Sequence, residues 1–195
     1  AWDVLEAGTS HLVMSCAFDR MPFTGTARIE ARLAADHLAL SVRLANAGAV
    51  ATPMGFGWHP YFMRPRGTSF AAATRTVFGR DARNLPIAPR PCAGLCGADA
   101  VLEGLDVHFA GWDGTARIDW PDGQRLTLSA TGAWAGNLQV FAPHHAGVLA
   151  VEPVSHAPDA ANRMDAAAHG AMHMVDPGQA LEGSLAIRWS DASTS

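Results

Sequence analysis

The sequence predicts an all-β protein, a large antiparallel β-sandwich, and three observations carry that reading. Apolar and polar residues alternate with period two in segment after segment. Clusters of Gly, Pro, Asn and Asp separate those segments at short intervals. Windows with helical periodicity are nearly absent. Many short antiparallel strands at regular spacing are the pattern of a sandwich.

Each element follows from its local pattern. In TARIEARLA the apolar residues Ala27, Ile29, Ala31 and Leu33 share one face, and in HLALSVRLAN so do Leu38, Leu40, Val42 and Leu44. The segments TARIDW and RLTLSA flank Pro121-Asp122-Gly123, so they read as a hairpin. NLQVFA, VLAVEPV and SLAIRW supply three further strands. NAGA, GWDG, APHHAG and DPGQ are the turns. Residues 159–170, DAANRMDAAAHG, have room for one short helix. Residues 79–100, rich in Gly, Pro, Arg and Cys, read as a long irregular loop, a place where compact β proteins often carry function. No internal repeat or linker interrupts the chain, so 1–195 is expected to form one domain.

Composition excludes several classes. A hydrophobic content of 49% with 16% charged residues suits a packed globule and not a disordered chain. All 14 basic residues are arginines and the net charge is −4, so no basic patch invites nucleic acid. No apolar run approaches the ~18 residues of a membrane helix. The opening AWDVLEAG has no basic n-region and does not read as a signal peptide, which makes a cytoplasmic location the expectation. The odd count of three cysteines, Cys16, Cys92 and Cys96, argues against a disulfide framework. The CxxxC pair has no second pair to complete a zinc site, so no metal is expected.

Four stretches could carry chemistry. The first, GFGWHPYF at 55–62, holds His59 among aromatic rings, and Pro60 biases it toward an extended backbone. The second, GLDVHFAGWDG, contains Asp106 and Trp112. The third, VLAVEPVSHAPDAANR, contains Glu152 at the end of an apolar run, where desolvation makes a carboxylate a better base. The fourth, VDPGQALEGSLAIRW, closes the chain. Local sequence leaves two roles open for each residue. His59 is a satisfied structural histidine or a catalyst. Glu152 is an edge glutamate in water or a base. Asp106 is a turn cap or a binder. Trp58 and Trp112 fill the core or face a sugar ring. His156 lies close to Glu152, and His144-His145 sits in a turn.

In order along the chain, these stretches resemble the galactose mutarotase (aldose 1-epimerase) family. Its G-x-H-P-Y-F segment is matched by Gly57-Trp58-His59-Pro60-Tyr61-Phe62. Its L-D segment and W-x-G turn are matched by Leu105-Asp106 and Trp112-Asp113-Gly114. Its E-P and P-D-A-x-N segments are matched by Glu152-Pro153 and Pro158-Asp159-Ala160-Ala161-Asn162, and its late P-G by Pro177-Gly178. Family members extend further at the N-terminus, through an arginine and a histidine that bind substrate. This chain starts near the family's W-x-V strand, at Trp2-Asp3-Val4, so it is expected to be the C-terminal two-thirds of the family fold.

The resemblance implies a supersandwich that interconverts the α and β anomers of an aldose without a cofactor. It implies that His59 is the general acid, Glu152 the general base, and Asp106 a binder of substrate hydroxyls, with Trp58 and Trp112 beside the sugar. His59 and Glu152 should face each other across a gap wide enough for a pyranose ring. The expected partner is a small aldose of the galactose or glucose class, with no nucleic acid and no membrane, on a monomer or homodimer. Two other readings stand beside this one. One is a non-catalytic sugar-binding module on the same fold. The other is a hexose-6-phosphate 1-epimerase, for which Arg64 and Arg66 are the candidate phosphate ligands.

Overall fold

Alternation in sequence becomes strand in the structure, a computed structural model that describes residues 1–20 and 23–191. The first strands are β1 (Asp3–Ala7), β2 (His11–Arg20), β3 (Phe23–Leu33), β4 (His37–Asn46), β5 (Thr52–Met54) and β6 (Tyr61–Met63). Then come β7 (Ser69–Ala72), β8 (Thr76–Phe78), β9 (Arg90–Pro91) and β10 (Leu95–Gly97). A one-turn helix α1 (Asp99–Leu102) leads into β11 (Leu105–Ala110), β12 (Thr115–Asp119), β13 (Gln124–Gly132), β14 (Asn137–Ala142) and β15 (Val148–Val154). A second short helix α2 (Met164–Ala167) precedes β16 (His173–Val175) and β17 (Ala180–Asp191).

The strands form a nine-stranded antiparallel sheet in the order β1-β2-β3-β4-β17-β13-β12-β7-β10. A six-stranded sheet, β6-β15-β14-β11-β8-β9, lies against it, and β5 and β16 make a separate ribbon. The expected hairpin across Pro121-Asp122-Gly123 is β12 paired with β13. The faces follow the period. From the large sheet Phe70, Ile118, Leu128 and Leu185 point into one core with Phe109, Leu138, Val140, Leu149 and Val151 of the smaller sheet. Each fully buried aliphatic side chain of this kind contributes roughly 1.5–3 kcal/mol relative to exposure, which is what joins the layers.

Two segments differ from expectation. The helix anticipated across 159–170 shrinks to α2. Asp159 has φ +58°, and its carbonyl accepts the amides of Asn162 and Arg163, so the segment begins as a turn. The irregular stretch 79–100 contains β9, β10 and the start of α1, yet 79–89 remains loop apart from an isolated bridge between Arg80 and Pro86.

Candidate active site

The six-stranded sheet turns its other face away from the core, and that face is polar at its centre. In the register of β14 and β15, Gln139 is opposite Glu152, and in that of β11 and β14, His108 is opposite Gln139. The row continues to Phe78 on β8. Asp106 shares the face, two residues before His108. Strand pairing alone therefore sets Glu152, Gln139 and His108 side by side on three strands.

His59 comes from the loop before β6, and the backbone explains its placement. The Trp58 amide donates to the Pro153 carbonyl at 3.0 Å, and the Val151 amide donates to the Pro60 carbonyl at 3.4 Å. These two ties bracket Glu152 on one strand and His59 on the other. The glycines of GFG make the approach possible. A Cβ on Gly57 would stand 2.7 Å from Val154 Cγ1, and one on Gly55 would stand 2.5 Å from His156 Nδ1. The stiff motif around His59 thus exists to lay that loop against β15. The result is contact: His59 Nε2 lies 3.2 Å from Glu152 Oε1.

The ring-wide gap expected between the two is therefore corrected to direct contact. The half-exposed imidazole stands directly against the buried carboxylate. His59 also packs on Tyr61, with ring centroids 4.8 Å apart.

Asp106 lies in the same constellation. Its Oδ1 accepts from Gln139 Nε2 at 2.7 Å and pairs with Arg80 Nη2 at 2.7 Å. Burial pushes the Glu152 carboxyl above the usual glutamate range, and the negative charge of Asp106 adds to that, while His59 and Arg80 pull it back. His108 is almost wholly buried, its Nε2 3.0 Å from Asn137 Oδ1, and desolvation pulls its imidazole down to about 4. His108 is therefore neutral at physiological pH. His156 is also lowered, by burial and then by His173.

The tryptophans separate. Trp58 is partly buried and packs against the core beside His59. Trp112, expected at a sugar, is 3% exposed inside the sandwich, and its indole N–H donates to the Thr115 carbonyl at 2.8 Å. It has no face to offer a ligand, because the turn between β11 and β12 folds it under the sheets. Arg64, one of the two candidate phosphate ligands, is likewise committed. It is 6% exposed, and its guanidinium pairs with Glu103 at 2.5 Å and donates to the Val148 carbonyl. Arg66 is exposed, on the loop beyond β6.

Gln139, His108 and Arg80 are the members that sequence reasoning missed. Two had a signal. His108 follows Asp106 by two residues, so alternation puts both on one face, and Gln139 is the polar break in the apolar strand NLQVFA. Arg80 had none beyond its place in the long loop. Among the described residues no three His, Cys, Asp or Glu side chains are grouped to hold a metal ion. A hollow of about 600 Å³ on the solvent side of the nine-stranded sheet includes Thr115, Arg117, Arg125 and Thr127 in its lining. Both arginines there pair with Asp119, and an acid–base pair like His59–Glu152 is not among its lining residues.

Known proteins share this arrangement of strands. No family model matches the chain. The uncharacterized protein YphB of Escherichia coli (strain K12) is 29% identical over 181 residues, which cover 80% of this chain and 58% of YphB. The chain thus spans little more than half the length of this curated relative. A crystal structure from Escherichia coli K12, provisionally described as an aldose 1-epimerase, superposes with a TM-score of 0.83 at 23% identity, over 97% of this chain and 68% of its own. A galactose mutarotase-like protein of Clostridium acetobutylicum gives 0.83 at 14% identity, over 97% and 66%. Another from Lactobacillus casei gives 0.79 at 18%, over 97% and 73%. The fold is that of galactose mutarotase-like proteins, as the motifs led one to expect. Among the described residues no helix is long and apolar enough to cross a membrane.

Proposed function

We propose that this chain carries the acid–base centre of a cofactor-independent aldose 1-epimerase. The observation that carries the reading is the His59–Glu152 pair at 3.2 Å, flanked by Asp106 and Gln139 on one sheet face. Mutarotation needs one group to take a proton and one to give it, at two oxygens of the same ring. Glu152 takes the proton of the C1 hydroxyl, and the C1 oxygen becomes a carbonyl as the bond from C1 to the ring oxygen breaks. The electron pair of that bond goes to the ring oxygen, which His59 protonates. Rotation about C1–C2 turns the other carbonyl face to the freed hydroxyl. Closure reverses the proton transfers, and both residues return to their starting states.

The surroundings suit these roles. Burial makes Glu152 a stronger base than a solvated glutamate, and the imidazolium of His59 beside it favours its ionised form. Ring opening starts from the state in which Glu152 is ionised and His59 carries the proton. A sugar must part the two, and His59, with 53% of its side chain exposed, is the partner free to swing aside. Asp106 and Gln139 supply an acceptor and a donor for ring hydroxyls. Exposed Tyr61, stacked on His59, supplies the aromatic face that Trp112 does not. A module that only bound sugar would have no use for a paired acid and base, which favours the enzyme over that reading.

The test is Glu152→Gln, which keeps shape but accepts no proton. Anomer interconversion followed by polarimetry should fall by ~10²-fold or more, while sugar affinity changes little. Unchanged catalysis excludes Glu152 as the base. A wild-type protein that binds sugar yet never accelerates mutarotation hands the case to the binding module.

A further inference from the structure

The loop 79–87 belongs to no named strand or helix, yet it is tied by hydrogen bonds and by an isolated antiparallel bridge between Arg80 and Pro86. The Ile87 amide donates to the Gly79 carbonyl, Asp81 to Leu85, and Asn84 to Asp81, each at 2.9 Å. The Asp81 carboxylate accepts the amides of Arg83 and Leu85. Arg163 donates to the Pro86 carbonyl and so fastens this loop to the segment before α2. A loop so tied holds its backbone fixed, and what it delivers to the polar face is Arg80.

Gln139 Nε2 donates to Oδ1 of Asp106 at 2.7 Å, and Arg80 Nη2 forms an ion pair with the same oxygen at 2.7 Å. Oδ2 takes neither. Both contacts converge on one oxygen of the carboxylate and restrain the Asp106 side chain. The pair is about one-third exposed on each side, and ion pairs of that kind add little to folding. Stability does not account for a loop built to place this guanidinium here.

We infer that Arg80 is a positioning residue of the site: it orients Asp106 for a substrate hydroxyl and offsets one of the two carboxylate charges beside His59, so that Glu152 works as the base. This rests on the reading of Glu152 given above. The titratable and charged groups on this face are His59 from the loop before β6, Asp106 and His108 from β11, Arg80 from the 79–87 loop, and His156 after β15. Of these, Asp106 works against ionisation of Glu152, while His59 and Arg80 work for it. Without Arg80, His59 alone would oppose the Asp106 charge.

The experiment compares Arg80→Met and Arg80→Lys with wild type in two readouts. Carbon-13 NMR titration follows the Glu152 carboxyl directly, and steady-state mutarotation gives kcat and KM across pH. Arg80→Met should move the Glu152 midpoint, and with it the acid limb of kcat/KM, to higher pH. KM should rise roughly ten-fold as Asp106 loses its orientation. Arg80→Lys keeps the charge without the planar fork, so it should restore the midpoint but not the full affinity. A Glu152 midpoint that does not move in Arg80→Met overturns the inference. Loss of fold in Arg80→Met, read by circular dichroism, also overturns it, since the residue would then be structural. If the wild type shows no mutarotation, the epimerase reading falls, and the NMR titration still decides what Arg80 does to Glu152.

Discussion

Within the six-stranded sheet, neighbouring residues of one strand live in opposite surroundings. Leu138 and Val140 of β14 and Leu149 and Val151 of β15 point into the sandwich and are almost wholly inaccessible. Gln139, between the first two in the chain, and Glu152, next after Val151, point the other way, among Asp106, His108 and Arg80. Two residues of the outer face are nevertheless close to dry: Glu152 is 8% exposed and His108 5%. Burial of a leucine lowers the free energy of the fold. Burial of a carboxylate or an imidazole raises it unless partners compensate. The inner face therefore holds the sheet together, and the outer face holds side chains in states that solvent would not favour. A period of two is enough to keep these tasks apart on the same backbone.

The largest effect should come from the inner face. Leu138→Ala removes a side chain with no exposed surface from the centre of the core and leaves a cavity. It should cost about 2–5 kcal/mol, read from urea unfolding, with the protonation behaviour of Glu152 unchanged. A cost below about 1 kcal/mol would mean that the two sheets do not depend on this layer.

The outer face should reveal itself through pH. The folded protein holds His108 at about 4 against 6.5 for the free side chain, so its contribution to stability is present above 6.5 and is lost as pH falls through 4. In that window the unfolded chain binds a proton that the native state refuses, which amounts to about 3 kcal/mol by pH 4. His108→Gln removes this titration. Its loss of stability between pH 7 and pH 4 should be smaller than that of wild type by about that amount. Equal losses in the two proteins would place His108 in contact with water.

The two faces were not equally legible in the sequence. The inner face was, because apolar alternation in TARIEARLA, HLALSVRLAN, NLQVFA and VLAVEPV is a local pattern, and the sandwich follows from where such patterns must hide. His59, Glu152 and Asp106 were reached through motif resemblance, and the structure brings all three to one face. Trp112 was misjudged because local sequence does not distinguish a tryptophan under a sheet from one beside a ligand. The direct His59–Glu152 contact depends on the pairing of the His59 loop with β15, a nonlocal register. Arg80 depends on how an irregular loop folds back, and no periodicity reports that.

The smallest expected effect is also the one that separates the faces most cleanly. Glu152 titrates above the ordinary glutamate range in the folded protein, with burial outweighing the attraction of His59. A carboxyl raised on folding contributes stability that is present below its unfolded value and is lost as pH rises through its folded value. At neutral pH the ionised carboxylate is therefore a cost to the fold, kept at a place where its basicity is of use. Glu152→Gln removes that cost while filling the same space. Relative to wild type, the variant should melt at a slightly higher temperature at pH 7.5, and the advantage should fade by pH 4, where wild-type Glu152 is itself protonated. The measurement is a pair of thermal melts at the two pH values, on the same preparations used for polarimetry. A variant that loses catalysis and gains stability at neutral pH marks Glu152 as a residue held against the preference of the fold. A variant less stable at pH 7.5 than at pH 4, relative to wild type, would make the His59–Glu152 pair a net support of the structure and would move Glu152 to the same side of the comparison as Leu138.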